Sequence, residues 1–97
     1  MDNYCKITFK DKTYTISSIV DFKSEHSKDT DIKNIYYIST EEIPHGLIHD
    51  VSSKYPITAI VLGEEIWRPS IKMKTFLNQE TKKIQYEIII SDKGDSK

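Results

Sequence analysis

The sequence has very few of the residues from which most catalytic and nucleotide-binding motifs are built. Its 97 residues include one cysteine, three glycines, three prolines and one arginine. Walker and dinucleotide-binding loops need closely spaced glycines, and Gly46, Gly63 and Gly94 lie too far apart to form one. A G-x-S-x-G nucleophile elbow is also missing. We therefore expect a protein that is not an enzyme and has no cofactor.

The single cysteine, Cys5, excludes an intramolecular disulfide. Small secreted domains with limited cores usually depend on such cross-links. The first residues lack the apolar region of a signal peptide, and the hydrophobic runs are far shorter than the roughly 20 residues that span a bilayer. These features predict a cytoplasmic protein that does not enter the membrane.

Positive and negative charges nearly cancel, since 14 basic and 15 acidic residues give a net charge of −1. Nucleic-acid-binding proteins usually have a basic surface rich in arginine, whereas Arg68 is the sole arginine here. The balance argues against a nucleic-acid partner. Lysine and isoleucine are abundant instead, a bias typical of AT-rich genes of low-GC bacteria, their phages and mobile elements.

Residues 4–18 alternate apolar and polar side chains around a short polar turn, a pattern typical of a β-hairpin. A turn of two residues places Phe9 opposite Tyr14. The neighbouring pair on the same face is then Ile7 and Ile16.

A second hairpin is predicted over residues 71–90, where the alternation resumes on both sides of a polar loop. A loop of four residues places Met73 opposite Tyr86. It also pairs Lys72 with Glu87, a favourable contact between opposite charges.

The middle of the chain combines strands with one short helix. Apolar runs predict central strands at 32–39 and 57–62, and Pro69 confines the piece at 66–67 to a sheet edge. Helical spacing predicts an amphipathic helix at 44–54, and polar composition predicts a loop at 23–31.

The order of elements is therefore β-β-β-α-β-β-β. It predicts an α+β, β-rich fold, with two antiparallel hairpins and central strands in a mainly antiparallel sheet beside one short helix. We expect residues 1–92 to form a single domain and residues 93–97 to be a frayed polar tail.

Two histidines, His45 and His49, have the i, i+4 spacing that places two zinc ligands on one helical face. Zinc proteases also need a glutamate after the first histidine, and Gly46 occupies that position. We expect no metal site, and a small enzyme or metal-binding protein that uses these histidines is a minor alternative. Cys5 shares the apolar face of its strand and is expected to pack in the core.

A further alternative is a nucleic-acid platform on the face that combines Lys72, Lys74, Phe76 and Lys83. Glu87 on the same face argues against it.

The segment around Trp67 and Arg68 is the strongest candidate for a binding site. The sole tryptophan and the sole arginine are adjacent there, and both residue types are enriched among interface hot spots. Glu64 and Glu65 complete the predicted protein-binding set. In the alternative interpretation Trp67 caps the core and Arg68 pairs with a nearby glutamate.

The sequence thus predicts a non-enzymatic protein-binding module, a small accessory or inhibitor protein that docks onto a larger partner. The alternative is a subunit of a phage or bacterial assembly in which exposed strand edges pair between copies.

Overall fold

A computed structural model describes residues 4–26, 28 and 32–92. The strands and the helix within these ranges are β1 (Cys5–Thr8), β2 (Thr13–Ile16), β3 (Ile19–His26), β4 (Asn34–Thr40), α1 (Leu47–Ser53), β5 (Thr58–Val61), β6 (Glu64–Trp67), β7 (Ser70–Leu77) and β8 (Ile84–Asp92). The predicted polar tail at 93–97 lies outside the described residues.

The strands form two antiparallel sheets of four, in the orders β2-β1-β5-β6 and β3-β4-β8-β7. The chain passes from the first sheet to the second at two short corners, residues 17–18 and residues 68–69. The predicted α+β, β-rich class with one short helix is confirmed. The strands divide between two sheets, whereas the sequence suggested a single one.

The buried apolar side chains of both sheets form one hydrophobic core. In β1, β2, β4 and β5 they alternate with side chains that are more exposed, as expected for sheets with one face toward the core. Burial of each isoleucine, leucine or phenylalanine contributes about 1.5–3 kcal/mol. The core consists of Cys5, Ile7, Phe9, Tyr14, Ile16, Tyr36, Ile38, Leu47, Ala59, Val61, Ile66, Ile88 and Ile90.

Strands β1 and β2 pair two residues away from the predicted register. Ile7 lies opposite Tyr14, so the predicted Phe9–Tyr14 and Ile7–Ile16 pairs are wrong. The chain turns one residue earlier than predicted, because the N–H of Phe9 donates to the C=O of Lys12 at 2.7 Å. A shift of two residues leaves every side chain on its predicted face. The Phe9 and Tyr14 rings therefore still pack edge to face, with centroids 5.9 Å apart.

The hairpin of β7 and β8 shows the same displacement. Met73 lies opposite Ile88, whereas Tyr86 was predicted there. The side chain of Asn78 explains the shift, because its Oδ1 accepts the backbone N–H groups of two loop residues at 2.9 and 3.1 Å. The loop therefore begins after Asn78 and occupies residues 79–82.

The helix is shorter than the predicted range of 44–54. The helix proper begins only at Leu47 and ends at Ser53. Gly46 precedes α1 with φ of +91°, a conformation that glycine adopts without strain. Asp50 faces inward, whereas Ile48 is 50% exposed, so the predicted apolar face is only partly correct.

Strand β3 replaces much of the loop predicted at 23–31. It pairs with β4 as far as His26, with a bulge between Ile19 and Asp21. Residues 27 and 29–31 lie outside the described residues. The described ranges contain no helix long and apolar enough to cross a membrane.

Candidate functional site

The segment that carries the predicted site is the edge strand β6. Leu62 and Gly63 both have positive φ, +50° and +90°, which is the conformation of a tight type I′ hairpin turn. This turn brings β6 back alongside β5, so that Thr58 lies opposite Trp67. Within the described chain, the other side of β6 has no strand neighbour, as expected for an edge segment.

The alternation of β6 turns Trp67 away from the core. Ile66 points inward and is 2% exposed, while the next side chain, Trp67, is 54% exposed. The alternative in which Trp67 caps the core is therefore wrong. A tryptophan side chain exposed to this extent leaves a large rigid apolar surface in contact with water.

Arg68 forms the corner between the two sheets. Its φ of +51° is unusual for a residue other than glycine, and the hydrogen bond from its N–H to the C=O of Ile57, at 2.7 Å, holds that geometry. Pro69 follows and is buried. Within the described part of the chain, the Arg68 guanidinium takes part in no ion pair, so its predicted pairing with a glutamate does not occur.

The two glutamates of the predicted set lie on opposite faces of β6. Glu65 alternates with Ile66 and shares the outer face with Trp67. Glu64 lies on the inner side, where its Oε1 accepts the hydroxyl hydrogen bond of Tyr36 at 3.1 Å. Burial, and then the hydrogen bond to Glu64, raise the pKa of Tyr36. Glu64 is also exposed, but it has a structural contact and lies on the face opposite to that of Trp67.

The corner also borders a groove that sequence reasoning missed. The groove measures about 540 Å³ and lies between residues 51–57 and residues 68–71. Arg68, Lys54 and Tyr55 all line it, and Tyr55 is 94% exposed. Tyr55 follows the end of α1 at Ser53, so it lies beyond the helix.

The backbone of β6 offers hydrogen-bonding groups at its outer edge. In an antiparallel ladder, residues whose N–H and C=O face the partner alternate with residues whose groups face away. The hydrogen bond from the N–H of Arg68 to the C=O of Ile57 shows that the backbone groups of Arg68 face β5. By alternation, the backbone groups of Glu65 and Trp67 face away from β5. Glu65 and Trp67 thus each have both an exposed side chain and backbone groups that face outward.

The two histidines do not form the predicted helical pair, because α1 begins at Leu47 and His45 precedes it. His45 and His49 both line an open groove of about 800 Å³, together with Ile48 and Tyr86. The described ranges hold no cluster of three or more histidine, cysteine, aspartate or glutamate side chains suited to a metal ion.

Cys5 is fully buried in the core, as the sequence predicted. Burial raises the pKa of its thiol to about 12, so the reactive thiolate is strongly disfavoured in the folded protein. This environment does not support nucleophilic catalysis by Cys5.

Comparison of the chain with protein-family models, curated proteins and solved structures finds no match.

Proposed function

We propose that the chain is a non-enzymatic protein-binding module, a small cytoplasmic accessory or inhibitor protein that docks onto a larger partner. The observation that carries this proposal is the position of Trp67, which is 54% exposed on an edge strand and adjacent to Arg68 at the corner between the sheets. Tryptophan and arginine are enriched among measured interface hot spots. Tryptophan covers a large contact area at low cost in side-chain entropy, and the planar arginine guanidinium pairs with carboxylates through two hydrogen bonds.

The arrangement around Trp67 supports a protein partner over a small molecule. Glu65 and Trp67 present their side chains on the outer face of β6 and their backbone groups at an edge that has no neighbour among the described strands. Small-molecule sites are usually concave and mostly apolar. The groove next to Arg68 mixes apolar side chains with polar ones and includes the charged Lys54 and Arg68. Such a surface suits a partner that contributes both an apolar pocket for Trp67 and a carboxylate for Arg68.

The test is affinity capture from cells that encode the chain, followed by titration of the purified partner. Trp67→Ala removes the aromatic anchor and should weaken binding by about 2 kcal/mol or more. Arg68→Gly removes the guanidinium and tolerates the positive φ, so that it should weaken binding with little effect on the fold. Ile48→Ala is the matched control, since Ile48 is similarly exposed but lies on α1.

Equal affinity of Trp67→Ala and the parent protein would refute the proposal. Light scattering distinguishes the alternative, a subunit of an assembly. A molar mass that rises with concentration, and returns to the monomer value in Trp67→Ala, would favour contact between copies over docking onto a different protein.

A further inference from the structure

Among the described strands, the longest regular edge belongs to β7. This strand has eight residues and pairs only with β8 among the described strands. The N–H of Asn78 donates to the C=O of Lys83, so the backbone groups of Asn78 face β8. Along β7, residues whose backbone groups face β8 alternate with residues whose groups face away from it. The residues whose backbone groups consequently face outward are Ile71, Met73, Thr75 and Leu77.

The side chains of β7 separate by charge. Lys72 and Lys74 lie on the outer face and are exposed, whereas Ile71 and Met73 lie on the inner face and pack against the core. Glu87 lies opposite Lys74, so the predicted Lys72–Glu87 pair is wrong. Within the described ranges neither lysine takes part in an ion pair. Along β7 itself, the outer face therefore carries the two cationic side chains and the inner face carries the two apolar ones.

A second copy of the chain fits this edge poorly. Two β7 strands related by a twofold axis overlap most when Ile71 lies opposite either Leu77 or Thr75 of the other copy. The first arrangement places Lys74 opposite Lys74, and the second places Lys72 opposite Lys74. Like charges directly opposite one another destabilise a strand pair, and lysines at sheet edges are known to oppose such self-association.

The remaining described edges are less suited to an added strand. Strand β3 has a bulge near its start, which interrupts pairing. Strands β2 and β6 have four residues each. The start of β7 is also continuous with the groove, because Ser70 and Ile71 line it together with Arg68. An added strand that follows β7 toward its start would reach the Arg68 guanidinium.

We propose that the β7 edge binds an extended acidic segment of the partner protein, which adds to the second sheet as a fifth strand. Its carboxylates lie beside Lys72 and Lys74, its apolar side chains lie beside Ile71 and Met73, and a further carboxylate reaches Arg68. Backbone hydrogen bonds give affinity in this mode of recognition, and the alternating side chains give specificity. The inference rests on the proposed function, because it specifies how the partner is bound.

The probe is a labelled peptide of alternating valine and glutamate, as long as β7, whose binding is measured by fluorescence anisotropy. The matched peptide has lysine in place of every glutamate. We expect the acidic peptide to bind about tenfold or more tightly than the basic one, and to bind more weakly as salt is added. Hydrogen exchange should slow at the amides of Ile71, Met73 and Thr75 in the complex.

Two pairs of variants separate charge from backbone pairing. The double variant Lys72→Glu, Lys74→Glu should weaken binding of the acidic peptide about tenfold. The double variant Lys82→Glu, Lys83→Glu changes the net charge equally at the far end of the hairpin, at and beside its loop, and should have little effect. Equal effects of the two double variants would mean attraction by overall charge and would overturn the proposal.

The substitution Thr75→Pro removes an outward N–H without breaking the β7–β8 ladder, since proline is tolerated where the N–H faces solvent. It should abolish the slowed hydrogen exchange at the Met73 amide and weaken binding of the acidic peptide. Thr13→Pro is the matched control, because Thr13 is also exposed and faces outward, on the edge of β2. Both variants should remain folded by circular dichroism.

The outcomes distinguish this inference from the proposed function. If the partner binds in a Trp67-dependent manner but Thr75→Pro leaves its affinity unchanged, strand addition at β7 is wrong and the binding module stands. Equal binding of acidic and basic peptides also overturns the inference. A dimer that Thr75→Pro dissociates would identify a second copy as the occupant and would contradict it as well.

Discussion

The hydroxyl of Tyr14 donates a hydrogen bond to Oδ2 of Asp50 and thereby joins β2 to α1 across 36 positions of the chain. Asp50 is 6% exposed, and the Lys54 ammonium lies 3.6 Å from its other carboxylate oxygen. The hydrogen bond from Tyr14 and the charge of Lys54 lower the pKa of Asp50, although its burial opposes the shift. The same hydrogen bond raises the pKa of Tyr14.

The first prediction concerns stability in acid. Because the folded protein holds the pKa of Asp50 below its ordinary value of 3.8, the ionised carboxylate stabilises the fold above that pH. This contribution is lost as pH falls through the lowered pKa. Urea denaturation should therefore show Asp50→Asn less stable than the parent protein at pH 6, with the difference shrinking below about pH 4.

The control for this prediction is Glu65→Gln, an exposed carboxylate on the outer face of β6. It should alter the pH profile much less than Asp50→Asn. Tyr14→Phe should lower the melting temperature by several degrees, because Asp50 then loses a buried hydrogen-bond donor. If the difference in unfolding free energy between Asp50→Asn and the parent protein stayed the same from pH 6 to strongly acidic pH, the lowered pKa of Asp50 would be contradicted.

The second prediction compares two glycines with nearly identical backbone angles. Gly46 has φ of +91° and Gly63 has φ of +90°. A Cβ on Gly46 would lie 3.2 Å from the Tyr14 hydroxyl, whereas a Cβ on Gly63 meets nothing within 4 Å. Gly63→Ala should cost about 1 kcal/mol through backbone strain alone, and Gly46→Ala should cost more.

Gly46→Ala should lower the unfolding free energy more than Gly63→Ala does. This additional loss should be smaller in a Tyr14→Phe background, where the hydroxyl is removed. A double-mutant cycle from urea denaturation measures this coupling. Equal costs for Gly46→Ala and Gly63→Ala would show that α1 is not held tightly against Tyr14.

The alternation of side chains predicts most strands of this protein but does not determine their registers. A shift of two residues keeps the same faces buried, so the pattern around Phe9 and Tyr14 is satisfied equally by two pairings. The observed pairing depends on the turns, and the side chain of Asn78 decides it in the second hairpin. Such local hydrogen bonds are difficult to anticipate from periodicity.

Strand β3 was missed for a different reason. Beyond Phe22 its sequence is polar on both faces, because it is an edge strand whose outer side chains Lys23 and Glu25 meet solvent. The groove beside Arg68 was also unpredictable, since it joins residues 51–57 to residues 68–71 through the packing of the two sheets. By contrast, the adjacency of Trp67 and Arg68 was visible in the sequence.

The third prediction concerns thiol reactivity. Cys5 is fully buried, and burial raises its pKa to about 12. A disulfide reagent at pH 8 should therefore label the folded protein only as fast as it unfolds, and label it at once in denaturant. Rapid complete labelling under native conditions would show that β1 opens locally.

The fourth prediction concerns metal ions. His45 and His49 do not share a helical face, because α1 begins at Leu47. A strong chelator should leave the melting temperature unchanged, since loss of a structural zinc would remove on the order of 10 kcal/mol. A large fall that disappears in His45→Ala would support the metal-binding alternative.

The fifth prediction uses two neighbours on opposite faces of β6. Ile66 is 2% exposed and Trp67 is 54% exposed. Ile66→Ala deletes buried methyl and methylene groups and should cost about 2–5 kcal/mol of unfolding free energy. Trp67→Ala removes a side chain that is half in water and should cost within about 1 kcal/mol, although it removes far more atoms. Chemical denaturation of both variants measures the difference. A loss in Trp67→Ala as large as that in Ile66→Ala would mean that the tryptophan supports the fold, and the binding surface proposed here would lose its anchor.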